Sequence, residues 1–373
     1  MGLDVGKRRC RFVIGEGERD GVRTLEQGWV ATNRIALQKL LSDRDRMRVV
    51  LEVGRASPWL SRLVAEGGHE VIVANPRELA VIYKSQKKND REDARKLMEL
   101  GHLNPKLLSP VKHRSAESQA DLAVIRARDI AVAARTSLVN HVRGACASVG
   151  EPLEGCSSAS FHKQAPRQIP EEMKAAVAPL LQLIGGLTKT IARYENTIEE
   201  LAEKKYPETE RLRQVKGVGP ITSLCFVLTL EDPGRFPRSR AVGPYLGLTP
   251  RQDDSGDSEK QLHITKAGDG RLRRLLVGSA QYILGHYGPD TDLRRWGLRQ
   301  AERGGKNSKK RAAVAVARKL AVLMHRLWVS GATYEPLRQA DAAEPGKRVR
   351  TYRLTTSTTR RPPSGEGAAP SRP

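Results

Sequence analysis

The spacing of apolar residues changes twice along the chain and divides it into three stretches. In the first hundred or so residues, short β-type runs alternate with helical ones. "MGLDV" and "RCRFVIG" read as strands, the second with Cys10, Phe12 and Ile14 on one face, while "RVVLEV" and "EVIVAN" are the continuous apolar runs of buried strands. Between them "TNRIALQKLLSD" and "SPWLSRLVAEGG" have helical spacing, the latter with Ser57 as N-cap, Pro58 in the first turn and a glycine pair at its end. Strands followed by strand–helix alternation predict a three-layer α/β unit around a mixed sheet.

From about residue 115 to 205 only helical spacing remains. "SAESQADLAVIRARDIAVAARTSLVNHVRGACASVG" predicts one long helix. After a polar break, Met173, Val177, Leu180, Ile184, Leu187, Ile191, Tyr194, Ile198 and Leu201 recur in alternating steps of four and three, the heptad seam of a coiled coil. Pro179 and the Gly185-Gly186 pair predict a kink or a separate start in its first half. Packing of the two helices within one chain and pairing between chains fit this seam equally.

The third stretch opens with "LRQVKGVGPITSLCFVLTL", in which the turn from Gly217 to Gly219 between apolar helices has the form of a helix-hairpin-helix. Backbone N–H groups in such a turn, with Lys216 beside them, can hold a phosphate; a turn used only for close helix packing has the same form. A polar, glycine-rich loop then leads into a basic helix carrying Arg271, Arg273 and Arg274, and "SKKRAAVAVARKLAVLMHRLWVSG" predicts a last helix from Ser308 to Gly331 with Val316, Leu320, Leu323 and Leu327 as its core stripe. Beyond about residue 341 too little apolar surface remains to offset the entropy of ordering, and a basic disordered tail is expected. The expected division is therefore 1–112, 113–205, 206–340 and 341–373.

Charge narrows the partners. Lys and Arg number 65 against 42 Asp and Glu, a net charge of +23, which points to a polyanion and first of all to nucleic acid. With 4% aromatic residues, base stacking is not expected to be the main theme. The chain reads as having no apolar run long enough to span a bilayer and no signal peptide, so a cytoplasmic location is expected. Cys10, Cys146, Cys156 and Cys225 lie far apart without a C-x-x-C pair, and the histidines form no H-x-x-x-H pair, so a metal would need carboxylates.

Four acids stand out against this basic background. Asp4 and Glu52 sit inside strand-like apolar runs, where a carboxylate is costly unless solvated, paired or metal-bound. Asp90 and Asp93, in "KKNDREDARKL", lie three apart on one helix face. Taken alone they make an ordinary acidic first turn that favours the helix dipole. Taken with Asp4 and Glu52 they give the order D, E, D, D, which in a ribonuclease-H-like fold converges from two neighbouring strands and a helix. Oxygen ligands of that kind suit Mg²⁺, which can assist phosphodiester cleavage.

"GLDVGK", "LEVGRAS", "KKNDREDARKL", "KGVGPITS", "YLGLTPRQDDSG", "ITKAGDGRLRRLL" and "ARKLAVLMHRL", in this order, resemble the DEDD-type transposases of the insertion-sequence-110 family and its related 1111 group over about residues 1 to 335. The resemblance implies an N-terminal domain similar to the Holliday-junction resolvase RuvC, with Asp4, Glu52, Asp90 and Asp93 as Mg²⁺ ligands, followed by a helical coiled-coil region and a mostly helical C-terminal transposase domain. It implies a nucleophilic serine at Ser255, before Gly256, with Ser258 as the next choice. Alone, Ser255 is ordinary turn chemistry and a weak nucleophile that needs a base or metal nearby. Lys266, Arg271 and Arg274 could offset phosphate charge there. The family also implies donor and target DNA, a noncoding bridge RNA, and a dimer or tetramer with a composite site joined through the coiled coil, in a bacterial cytoplasm on the nucleoid. Family members usually carry a few more residues before the first aspartate, so the expectation is either a short first strand or a start codon placed late. A hydrolytic Mg²⁺-dependent junction nuclease and a non-catalytic nucleic-acid scaffold are the competing expectations.

Overall fold

The computed structural model describes residues 1–19, 21–76, 89–252, 262–338 and, by backbone alone, 254–255 and 258–259. The expected tail from residue 341 lies outside the described residues. The chain opens with three strands, β1 (Gly2–Val5), β2 (Arg9–Glu18) and β3 (Gly21–Ala31), paired antiparallel in sequence order. Helix α1 (Arg34–Ser42), capped by the Asn33 side chain, leads to β4 (Arg48–Glu52), and helix α2 (Ser57–Glu66) to β5 (Glu70–Ala74). The last two strands run parallel to β1, giving one mixed sheet of order β3-β2-β1-β4-β5. Strand β1 is short, four residues, as expected.

Alternation assigns the two faces of this sheet. Leu3, Cys10, Phe12, Val49, Leu51 and Val73 point to one side and form a core with Leu37 and Leu41 of α1 and Leu60, Leu63 and Val64 of α2. Gly2, Val13, Val50 and Ile72 point to the other side, which is covered by α3 (Asp90–Leu103) through Ala94, Leu97, Met98 and Leu100. The result is the expected three-layer α/β unit. Two local expectations change. Strand β3 has no counterpart among the strands read from the sequence, because it is an edge strand whose "RTLEQ" stretch is exposed. Ser57 is the first residue of α2 and not its cap; Ala56 holds the cap position, while the Ser57 hydroxyl turns back to the Gly54 N–H at 2.9 Å.

The rest of the described chain is mostly helical. Helix α4 (Ala116–Ser148), N-capped by Ser115, pairs lengthwise with α5 (Glu171–Glu200), and a π turn, Leu201–Lys205, follows. The buried positions of α5 recur at Val177, Ile184, Ile191 and Ile198, and α4 answers with Ser118, Ile125, Val139 and Cys146 on the same seven-residue period. The predicted seam is thus occupied within the chain. Its other members, Met173, Leu180, Leu187, Tyr194 and Leu201, are half-buried, and Pro179 lies inside the helix without ending it. One expectation needs correction: Glu171–Lys205 is long and apolar enough, by length and composition alone, to cross a bilayer. In the fold it lies against α4, with Glu195 paired to Arg128 and Glu199 to Arg213.

At the root of the hairpin, Leu122, Ile125 and Ile198 join a larger core built by α6 (Glu208–Arg213), α7 (Pro220–Leu230), α8 (Gly270–Leu284), α9 (Asp292–Glu302) and α10 (Ser308–Ser330). Helix α7 is buried from Thr222 to Leu230, and α10 ends at Gly331 in a left-handed conformation, as its sequence predicts. Three of the four cysteines are buried; burial pushes the Cys225 thiol up to about 12, which removes it from nucleophilic chemistry.

Candidate active site and nucleic-acid interface

Strand register places the first two acids. Gly2 pairs with Val50 and Leu3 with Leu51, so the next step along the parallel pair sets Asp4 beside Glu52 at the carboxyl ends of β1 and β4. Both belong to the face that α3 covers, since Asp4 is two residues beyond Gly2 and Glu52 two beyond Val50.

Helix α3 brings the other two acids to the same edge. A methyl group on Gly2 would stand 2.0 Å from the Ala94 carbonyl oxygen and 2.6 Å from the Met98 nitrogen, so the helix backbone rests directly on β1. At its far end Arg48, the first residue of β4, donates to the Gly101 carbonyl at 2.8 Å. The helix therefore runs antiparallel to β1 and β4, and its first turn points to their carboxyl ends. Asp90 precedes Ala94 by four residues and Asp93 precedes Leu97 by four, so both continue the stripe by which α3 is seated. The Asn89 side chain caps the turn by accepting from the Arg91 N–H at 3.0 Å. Asp4 and Asp93 are half-buried, and Glu52 and Asp90 exposed.

All-oxygen donors on one sheet edge fit a hard divalent cation by type and by face. Among the described residues, however, no three His, Cys, Asp or Glu side chains stand close enough to hold an ion as a ready group.

The turn after Glu52 is tied to the helical part of the chain. Segment 108–111 runs beside β5, with Val111 N–H donating to the Val73 carbonyl at 2.8 Å. His113 Nε2 then meets Ser57 Oγ at 2.8 Å, and Arg114 Nε donates to the Leu228 carbonyl at the end of α7 at 3.0 Å. Arg114 also faces Asp269 at 3.8 Å, the residue whose carboxylate caps α8 by accepting from Arg271 and Leu272 N–H. Burial, then the nearby Arg62 and Arg114 charges, hold His113 below the usual imidazole range.

Ser255 lies in a two-residue strand, β6 (Asp254–Ser255), paired antiparallel with β7 (Ser258–Glu259) so that Ser255 faces Ser258. Its side chain, like Gly256, lies outside the described residues. The stem of this hairpin is firm: Pro250 bridges Ile264, and Gly247, at φ +65°, leaves no room for a Cβ against the Ala267 backbone. At the stem a cleft of about 370 Å³ is lined by Lys266, Arg273 and Arg274 among others. Lys266 and Arg274 are exposed there. Arg273 donates to the carbonyls of Leu246 and Ala267, and Arg271 pairs with Asp129 of α4, so these two guanidiniums brace the loop and the hairpin.

The Gly217 turn joins α6 to α7. Gly217 has φ +95°, and an added Cβ would meet the Tyr282 ring at 2.9 Å, so this glycine packs against α8. Gly219, at the N-cap of α7, faces open space, and Lys216 is exposed beside it. The turn thus serves packing at one glycine and is open at the other.

A family model described as the IS116/IS110/IS902 transposase family matches residues 209–293, and the DEDD transposase model of the IS110 group matches residues 1–149. The transposase of insertion sequence IS1111A from Coxiella burnetii is 30% identical over 295 residues, 77% of this chain and 79% of that protein. The chain belongs to this transposase family. A putative Sinorhizobium fredii transposase, y4pF/y4sB, is 30% identical over 83% of the chain and 82% of its own length. A probable family 20 transposase of Pseudomonas aeruginosa is 29% identical over 77% of the chain and 86% of its own. The two transposase models cover the two parts of the chain where the candidate chemistry lies: the match over 1–149 contains all four acids, and that over 209–293 the Gly217 turn, Ser255 and the basic residues from Lys266 to Arg274.

Proposed function

We propose that this transposase cuts and rejoins DNA strands at a composite site, with Asp4, Glu52, Asp90 and Asp93 as the holders of Mg²⁺ and Ser255 as the nucleophile. The observation that supports the reading is the position of the four acids, at the carboxyl ends of two neighbouring parallel strands and in the first turn of the helix seated on them, all toward one sheet edge. The strand order β3-β2-β1-β4-β5 supports a ribonuclease-H-like, RuvC-like domain over residues 1–112. Residues 113–205 and 206–340 then form the helical region and the C-terminal domain.

Bound Mg²⁺ would polarise the scissile phosphate. The chain's own residues do the rest: Ser255 Oγ attacks phosphorus and forms a phosphoserine bond as the P–O bond to the leaving strand breaks, and the serine proton ends on the oxygen of the departing strand. Lys266 and Arg274 balance the phosphate charge, and Lys216 with the Gly219 turn holds backbone further along. Strand rejoining reverses the step with a new hydroxyl end. A bridge RNA supplies sequence choice by pairing, which fits a net charge of +23 whose natural partner is backbone phosphate. Two or four copies bring two sites together.

Ser255→Ala and Asp90→Asn test the chemistry against DNA carrying the element's ends. Both should abolish strand cleavage, and only the wild-type protein should leave a covalent protein–DNA adduct. Cutting by Ser255→Ala would make the protein a hydrolytic nuclease; full activity in Asp90→Asn and Glu52→Gln would remove the acidic site from the reaction. Sequencing of RNA that copurifies with the protein tests the guide.

A further inference from the structure

The sheet edge that carries Asp4 continues across β2 and β3. Asp4 pairs with Arg11, and Arg11 with Trp29, so one cross-strand row presents a carboxylate, a guanidinium and an indole on the same face. Glu52 extends the row on the other side. Trp29 is 43% exposed, and Arg9, Gln27 and Ala31, its neighbours on this face, are exposed with it, so the indole stands open where α3 no longer covers the sheet. The Arg9 guanidinium lies 4.1 Å from its ring centre and that of Arg11 5.2 Å, both within cation–π range. Arg11 donates to Gln27 at 3.1 Å, and its Nε is buried without a hydrogen-bond partner. Lys7 and Arg8, in the turn after β1, are exposed at the same end of the strands.

We propose that Trp29, with Arg9 and Arg11, is a stacking platform for an unpaired base of the DNA strand next to the scissile phosphate. The inference rests on the four acids marking the cutting site. An indole offers every base a π-face; the guanidiniums that lie over the ring give way to the base and meet the phosphates that flank it. Two strand spacings separate Asp4 from Trp29, about 10 Å, or about three base steps of stacked DNA. A strand laid along the row would therefore meet the indole within a few nucleotides of the cut. A paired duplex keeps its bases inside and offers nothing to stack, so the platform selects DNA opened at the junction.

The test uses the full chain and binding alone, so it does not depend on the cleavage chemistry. A branched DNA with 2-aminopurine at unpaired positions flanking the branch is compared with a fully paired duplex of equal length and with an unpaired RNA of the same sequence. Wild-type protein should quench the 2-aminopurine of the branched DNA. Trp29→Leu should lose that quench and about 10-fold in affinity for branched DNA, with duplex affinity unchanged, while Trp29→Phe retains most of both and Arg9→Ala loses part. Equal losses on duplex and branched DNA, or no loss on either, would overturn the platform. A quench seen with the RNA alone would also overturn it, in favour of the guide. If Asp90→Asn cuts normally while Trp29→Leu still loses branched DNA, the acidic site fails and the platform stands.

Discussion

Gly2 shows how closely one residue controls the candidate site. It lies two positions before Asp4, and the α3 backbone fills the space where a side chain would stand. Relief would have to come from the helix that carries Asp90 and Asp93. Gly2→Val is expected to destabilise the N-terminal unit by about 1–3 kcal/mol, read from urea denaturation, and to lower activity even where the fold survives. The acids were legible in the sequence because a carboxylate in an apolar strand asks for a reason. Trp29 was not, because a lone aromatic in a polar stretch carries no sign of the arginines its neighbouring strand sets over it. Nor could the sequence separate Arg271 and Arg273 from Arg274: three arginines on one basic helix look alike until Asp129 and the Leu246 carbonyl take up two of them.

At the scale of elements, the segment from His113 to Ser115 fastens the α/β unit to the helices. Ser57, which reads as a helix cap, is instead one end of this fastening, and only the fold brings it 56 positions along the chain to His113. Burial holds His113 below its ordinary value, with Arg62 and Arg114 adding to the effect. A histidine kept neutral by folding adds stability above its unfolded pKa of about 6.5 and loses it as pH falls through the lowered value. Hydrogen exchange of residues 109–115 should therefore quicken as pH drops from 7.5 to 5 relative to intrinsic rates, and His113→Gln should flatten that dependence. The strands that read as apolar runs were found; β3 was not, because an edge strand with one solvated face lacks the continuous run that marks β4 and β5.

Across the whole molecule, the basic side chains divide into those that brace the fold and those left exposed. Lys266 and Arg274 are exposed at the hairpin stem, whereas Arg271 and Arg114 hold parts of the fold together. Replacing Lys266 and Arg274 by alanine should lower DNA affinity similarly for all sequences and reduce the slope of log K against log salt by about 2. Arg271→Ala should instead lower the temperature of unfolding and leave the slope nearly as it was. Salt titrations of binding, paired with thermal melts, separate the two classes.

The matched period of the long helical hairpin has a consequence for its length. Inward positions recur every seven residues on both arms, so the arms form a ruler graduated in sevens. Excising seven residues from each arm at facing positions would shorten the projection by about 10.5 Å and keep every remaining side chain on its proper side. Excising three or four would turn the apolar edge of one segment toward water. The distance this arm reaches can therefore be altered in whole graduations while its grip on the body of the protein stays intact.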